Sequence, residues 1–253
     1  MASSSIKPGW FLPDWEKLER RSLNTGSGRG IVHLVRHPRG LLLERQYLHG
    51  GFRRLFWQKL FFRTRRPGKE FRIHRDIYEK GLNTVEPIGW VQRPGPLPFL
   101  FHYFYYSRYI EGALPFPKQV RRKNYSSKHL ADMSSTLYRL FEMGIFHNDL
   151  NLNNWIVAGE KTYLIDFDLA LPFRGGAQAY VVRALRRMIR SGIKLGLGKK
   201  KWLLLRAVAK AAQAFRMDPK VLLHKLDLQR LGPKPLQKWR WKISGGHQED
   251  AFD

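Results

Sequence analysis

The 253-residue chain carries 46 Lys+Arg against 20 Asp+Glu, a formal net charge of +26, and no cysteine. The absence of thiols excludes a disulfide scaffold, a cysteine nucleophile and a thiolate metal site, while a hydrophobic fraction of 43% is enough for a packed core and argues against a disordered chain. The charge calls for an anionic partner, whether nucleic acid, a phosphorylated sugar or an acidic membrane face. Basic residues are spread along the chain: 13 Lys/Arg and four acids fall between Arg36 and Lys80, and 11 Lys/Arg with no acid fall between Val181 and Arg216. No run approaches the roughly 18 apolar residues of a membrane span. The segment Met1–Pro8 lacks the apolar stretch of a signal peptide, so a cytosolic chain is expected.

In chain order, residues 1–24 read as an irregular lead-in with a short helix around Trp15–Arg21. Thr25-Gly26-Ser27-Gly28-Arg29-Gly30 then runs into Ile31–Arg36, a flexible turn feeding a strand. His37-Pro38-Arg39-Gly40 is a turn, and Leu41–Leu48 a second strand closing a hairpin. Gly68–Lys80 reads as a helix with Phe71, His74, Ile77 and Tyr78 on one face. Two strands follow, Ile88–Gln92 and Phe99–Ile110, separated by a proline-rich turn. Pro115 and Pro117 mark a linker. A helix from Ser126 to Met143 has a serine cap and an apolar stripe of Leu130, Met133, Leu137, Leu140 and Phe141, and Gly144 ends it. Trp155–Val157 and Thr162–Ile165 form a small hairpin around Gly159, and from about Gln178 the pattern is helical and basic. The order predicts an α+β, two-lobed chain with a cleft at the linker.

The segment that carries chemistry is His147-Asn148-Asp149-Leu150-Asn151-Leu152-Asn153-Asn154, followed after the hairpin by Asp166-Phe167-Asp168. Phosphoryl transfer from a nucleotide needs a carboxylate near the attacking hydroxyl. It also needs an amide oxygen and a second carboxylate to hold magnesium, and cations to offset the phosphate charge. Asp149 precedes Asn154 by five positions on a loop between helix and strand, and the hairpin can return Asp166 beside Asn154. The spacing matches the catalytic-loop and metal-loop pattern of kinases. On it Asp149 is the candidate catalytic residue, Asn154 and Asp166 are the candidate metal ligands, and His147 braces the loop. Asp168 either touches metal or caps the following turn. Upstream, the glycine turn around Gly28 can cover phosphates through backbone N–H groups. Arg45 stands where kinases usually carry a lysine, Glu70 can pair with it, and Glu111 at the junction of the lobes completes the candidate ATP-binding residues. A long activation segment does not fit between Asp166 and the resumption of helix, which favours a small or lipid-linked hydroxyl as acceptor over a protein.

These motifs resemble those of the lipopolysaccharide kinases, and most closely the branch acting on 3-deoxy-D-manno-octulosonic acid (Kdo). The residues that carry the likeness are Gly28-Arg29-Gly30, Arg45-Gln46-Tyr47 with Gly50-Gly51, Lys69-Glu70-Phe71, Gly81-Leu82 with Glu86-Pro87-Ile88, His147-Asn148-Asp149-Leu150-Asn151 with Asn154, and Leu164-Ile165-Asp166-Phe167-Asp168. The chain departs from the pattern at Asn148, where many relatives have a basic or small residue, and at Arg45 in place of lysine. The resemblance implies one protein-kinase-like domain over residues 1–253. Its small antiparallel N-terminal lobe would span 25–111 and its mainly helical C-terminal lobe 118–253. It also implies ATP and magnesium, with transfer to a hydroxyl of Kdo, expected at position 4, on a lipid A precursor.

Under that reading the basic surface docks on the anionic cytoplasmic face of the inner membrane of a Gram-negative bacterium. Val181–Lys210 and Trp239-Arg240-Trp241-Lys242 supply mixed cationic and apolar anchors, although much of the apolar stripe can equally belong to the core. No nucleic acid and no stable protein partner are expected. The alternatives are a kinase of another acceptor (a heptose, a small molecule or a protein) and a basic nucleic-acid-binding protein on a kinase-like scaffold.

Overall fold

A computed structural model describes residues 18–23, 32–38, 40–48, 59–173 and 177–195, together with Asp218 and Val221. The glycine turn with Gly28, the Gly50-Gly51 pair, Lys199–Lys201, Trp202–Leu205 and Trp239–Lys242 lie outside the described residues.

The first part is an antiparallel sheet of β1 (Arg20–Leu23), β2 (Val32–His37), β3 (Gly40–Gln46), β4 (Pro87–Pro94) and β5 (Phe101–Arg108), in the order β1-β2-β3-β5-β4. The helix expected around Trp15–Arg21 is replaced at Arg20 and Arg21 by β1, which pairs with β2 in the register Arg20↔Val35. Four residues on a sheet edge carry no periodicity of their own; the neighbouring strand supplies their hydrogen bonds. Side chains alternate across the sheet. On one face Val35, Leu42, Ile88, Val91, Phe104 and Tyr106 make a core, and on the other Tyr47, Phe61, Phe71, Tyr103 and Tyr105 make a second. The same alternation sends Glu44 to the first face and Arg45 to the second, opposite Tyr105.

Helix α1 (Arg66–Glu79) packs on the second face, with Pro67 in its first turn, where a missing N–H costs nothing. Its buried side is Pro67, Glu70, Phe71, His74 and Ile77. Tyr78 is 39% exposed, a correction to the expected stripe: one residue past Ile77, it is rotated about 100° away from the buried side. Glu70, an unremarkable carboxylate by sequence, is 1% exposed.

The second part holds β6 (Leu114–Pro115), α2 (Phe116–Arg121), α3 (Ser127–Glu142), β7 (Ile145–His147), β8 (Trp155–Ala158), β9 (Lys161–Leu164), β10 (Ala170–Pro172) and α4 (Ala177–Lys194). The segment expected as a linker at Pro115 and Pro117 is the short strand β6 and helix α2, with proline in the first turn and Phe116 fully buried. Six residues are too few to show a helical period. Helix α3 begins with a reciprocal cap. The Ser126 hydroxyl accepts from the His129 N–H, His129 Nδ1 accepts from the Ser126 N–H at 3.0 Å, and His129 Nε2 donates to the Gly159 carbonyl at 3.0 Å. The cap therefore also holds the β8–β9 turn. Gly144, at φ +69°, lets the chain leave α3 and enter β7. The expected α3 stripe (Leu130, Met133, Leu137, Leu140 and Phe141) lies in a core completed by Phe146, Trp155, Leu164, Phe167, Leu185 and Met188.

Several contacts join the parts, among them Asn83 Nδ2 donating to Asp132 Oδ1 at 2.8 Å. Thr84 pairs with Leu164 in a parallel bridge, and its hydroxyl donates to the Leu164 carbonyl at 2.6 Å. The Phe167 ring lies 4.7 Å from His74 of α1 and 5.1 Å from His147, measured between ring centroids. Among the described residues no helix is long and apolar enough to cross a membrane.

Candidate active site

The segment from His147 to Ala170 is closed at its base by a strand pair that sequence reading missed, β7 with β10 in the register His147↔Ala170. Three residues on each side give no periodic signal. The pair nevertheless fixes both ends of the loop that carries Asp149, Asn154 and Asp166. Inside it the β8–β9 hairpin pairs Trp155 with Leu164, and the Ile165 N–H donates to the Asn154 carbonyl at 2.9 Å. Asp166 therefore follows directly on the residue bonded to Asn154.

Asn154 is fully buried in a 3-10 turn, Leu152–Asn154, which Asn151 caps by accepting from the Asn153 N–H at 2.8 Å. Its Nδ2 donates to the Asp149 carbonyl at 2.7 Å and approaches Asp149 Oδ2 at 3.4 Å. With the NH₂ committed to the Asp149 loop, the amide orientation is set and Oδ1 is the atom of the pair that can act as a cation ligand. His147 is buried and donates from Nε2 to the Ile165 carbonyl at 3.2 Å, so it joins the two loops. Burial lowers its pKa and keeps the ring neutral. Asp166 sits at φ +69°, a left-handed conformation that costs a non-glycine residue energy and is held here by its neighbours on both sides.

From β3, Arg45 donates from Nη2 to Glu70 Oε1 at 2.6 Å and from Nη1 to Asp166 Oδ1 at 3.0 Å. One guanidinium thus ties β3, α1 and the Asp166 loop together. It lies over the rings of Tyr47 (5.0 Å) and Tyr105 (5.4 Å), and the Tyr47 hydroxyl donates to Glu70 Oε2. Burial opposes the Arg45 charge, but Glu70 and Asp166 more than compensate and raise its pKa well above the ordinary value, so it stays a cation. Burial pushes Glu70 up to about 7 against the pull of Arg45.

Two side chains that the sequence did not single out complete the site. Arg66, at the start of α1, grips Asp168 in a two-pronged pair, with Nε donating to Oδ1 at 2.5 Å and Nη2 to Oδ2. Through this pair Asp168 anchors α1 to the Asp166 loop. Arg187 of α4 donates from Nη1 to Asp149 Oδ1 at 3.3 Å. Neither arginine has a local signal, because each reaches its partner from a distant element. Glu111 is exposed in the turn after β5, and no contact among the described residues joins it to this cluster.

Among the described residues no group of three or more His, Asp or Glu side chains gathers to hold a metal. One carboxylate and one amide oxygen, Asp166 and Asn154, are nevertheless a donor set that suits magnesium, which takes few protein oxygens and fills its shell with phosphates and water. The cluster thus pairs a carboxylate (Asp149) beside an oriented amide with an anchored cation (Arg45), the arrangement phosphoryl transfer requires.

No family model matches the chain. A 3-deoxy-D-manno-octulosonic acid kinase of Vibrio vulnificus (strain YJ016) is 24% identical over 178 residues, 68% of this chain and 74% of the relative. The kinase of the same name from Stenotrophomonas maltophilia (strain K279a) is 28% identical over 193 residues, 74% and 75% of the two chains. That of Photobacterium damsela subsp. piscicida is 24% identical over 196 residues, 73% and 78%. Among solved structures, WaaP in complex with acyl carrier protein superposes with a TM-score of 0.55 at 14% identity, over 92% of this chain and 90% of that one. The chain therefore has the expected α+β, two-lobed, protein-kinase-like fold, and its likeness to the lipopolysaccharide kinases, Kdo kinases above all, is borne out and supports a kinase role in lipopolysaccharide biosynthesis.

Proposed function

We propose that this protein is an ATP-dependent kinase that phosphorylates a hydroxyl of Kdo, the one at position 4, on a lipid A precursor. The observation that carries the reading is the Arg45 bridge from Glu70 to Asp166, on a loop whose Ile165 N–H is bonded to the carbonyl of Asn154, itself hydrogen-bonded to Asp149. In the proposed mechanism Arg45, held by Glu70, orients the nucleotide phosphates. Asn154 and Asp166 would hold magnesium, which supplies charge neutralisation at the phosphate oxygens when bound. Asp149 accepts a hydrogen bond from the sugar hydroxyl and takes its proton as the oxygen forms its bond to the γ-phosphorus and the bond to the β-phosphate oxygen breaks. Gly28 and Glu111 belong to the nucleotide side of this proposal. We place the N-terminal lobe at 25–111 and the C-terminal lobe at 118–253.

The net charge of +26 supports peripheral docking on the cytoplasmic face of an inner membrane, whose anionic lipids attract basic segments. A complex with acyl carrier protein is a property of the similar WaaP structure, and the reading for this chain requires no protein partner.

Purified protein incubated with labelled ATP and a Kdo-bearing lipid A precursor tests the reading. Mass spectrometry is expected to show one added phosphoryl group on the sugar. Transfer to a heptose, an aminoglycoside or a protein instead, with none to Kdo, would overturn the acceptor assignment.

A further inference from the structure

The loop Asp149-Leu150-Asn151-Leu152-Asn153-Asn154 contains no cationic side chain. Helix α4 brings a positive charge to Asp149 through Arg187. Arg187 is one of a row. Helix α4 carries Arg183, Arg186, Arg187, Arg190 and Lys194 and no acid. At offsets of three, four and seven residues the four arginines share one face. On the opposite face Val181, Ala184, Leu185, Met188 and Ile189 are buried, which fixes the rotation of the helix. The arginines, with Ala179 and Val182, line a groove of about 400 Å³. Arg190 Nε is buried there with no hydrogen-bond partner among the described residues. Guanidinium groups stacked along two helical turns repel one another, and their fork geometry matches carboxylate and phosphate oxygens.

We infer that this groove is the subsite for the anionic group of the acceptor, the carboxylate of a sugar acid or a phosphate borne on it, and that Arg187 links the subsite to Asp149. The inference rests on the kinase reading of Asp149 and adds how the acceptor is chosen. An anion seated among Arg183, Arg186 and Arg190 lies one side chain away from Asp149, so a hydroxyl on the same sugar is presented to that carboxylate. Arg187 is a positioning residue, acting through Asp149 and the acceptor's charge. A neutral sugar has nothing to hold it there.

The test measures binding apart from transfer. Calorimetry on the full chain uses a water-soluble Kdo glycoside, its carboxyl methyl ester and inorganic phosphate. It compares the wild type with Arg183→Gln/Arg190→Gln and with Arg183→Gln alone, an exposed single change that spares the core. The acid is expected to bind the wild type at least about tenfold more tightly than the ester does, phosphate to compete with it, and the double variant to lose that margin while KM for ATP is unchanged. Equal binding of acid and ester, undiminished binding by both variants, or no binding of either anion to the wild type would overturn the subsite. Reduced binding of the variants to phosphatidylglycerol vesicles with glycoside binding intact would overturn it too, by making the groove a bilayer surface. The two readings fail separately. Glycoside binding in the groove without phosphoryl transfer leaves the subsite standing and removes the Kdo kinase; transfer with an unchanged acceptor KM in the double variant does the reverse.

Discussion

Strand β3 carries two opposite charges on consecutive residues, and the molecule accommodates them in opposite ways. Glu44, 2% exposed, points to the outer face of the sheet, where Arg20 (3.3 Å), His33 (3.0 Å) and Arg93 (3.8 Å) surround it and the Tyr106 hydroxyl donates to it. Its partners come from four other strands of the same sheet, and the cations outnumber the anion: a closed clasp. Arg45, 27% exposed, points to the face on which α1 packs and meets Glu70 and Asp166, which is itself 21% exposed. Counting Arg66 and Asp168, three carboxylates face two guanidiniums there. With every group ionised these five groups together carry one net negative charge, a setting that suits a divalent cation. Buried charge by itself therefore does not mark a site. What sets the Arg45 side apart among the described groups is an excess of carboxylates over cations, since buried pairs are retained for structure as well as for chemistry.

The sharpest way to break this contrast is to remove one anion from each side. Asp166→Ala is expected to lower phosphoryl transfer by roughly a thousandfold or more, because it deletes a candidate magnesium ligand, while the thermal midpoint stays near that of the wild type. Activity within tenfold of wild type would remove Asp166 from the metal site. Glu44→Ala is expected to do the reverse, costing roughly 1–3 kcal/mol of stability by leaving the buried Tyr106 hydroxyl and the partly exposed Arg20, His33 and Arg93 without their acceptor, with specific activity per folded molecule kept. Urea unfolding followed by tryptophan fluorescence reads the first, and a titration of active sites the second. Arg45→Lys is a smaller change. It keeps the charge but loses the two-pronged reach to Glu70 and Asp166, and is expected to raise KM for ATP and lower kcat, roughly tenfold to a hundredfold together. Unchanged kinetics would mean that a point charge suffices.

The parts legible in the sequence are those whose signal is local. The α3 stripe, its serine cap and the glycine after it follow from a 3.6-residue period and one left-handed position. The spacing from Asp149 to Asn154 to Asp166 was readable because a hairpin with strands of equal length returns the chain on itself. The Arg45–Glu70 pair was readable only as a resemblance. Its geometry depends on α1 packing across the second face of the sheet, an arrangement that no window of residues contains. Arg66 and Arg187 were illegible for the same reason: each meets an aspartate 102 and 38 positions away. The short strands β7 and β10, which hold both ends of the candidate catalytic segment, are three residues each, below the length at which alternation means anything. Tertiary pairing forms them.

The finest test of the contrast is titration. Glu70 has a folded pKa of about 7 against an ordinary 4.5, and burial is the larger cause, with Arg45 pulling the other way. Below about pH 4.5 both folded and unfolded chains hold the proton. From 4.5 to 7 the unfolded chain releases it and the folded chain keeps it, so this residue's contribution to stability is lost as pH rises and is constant above 7. Glu70→Gln preserves the shape, can still accept from Arg45 and can meet the Tyr47 hydroxyl, but has no proton to release. The stability of the wild type relative to this variant is therefore expected to fall between pH 4.5 and 7 and then level off. Urea unfolding in a buffer series of fixed ionic strength measures it without the screening that guanidinium brings. A difference that grows with pH across the same window would mean that the ion pair with Arg45 outweighs burial. Glu70 would then be a fixed anion, and the open face of β3 would carry its full negative charge before any nucleotide arrives.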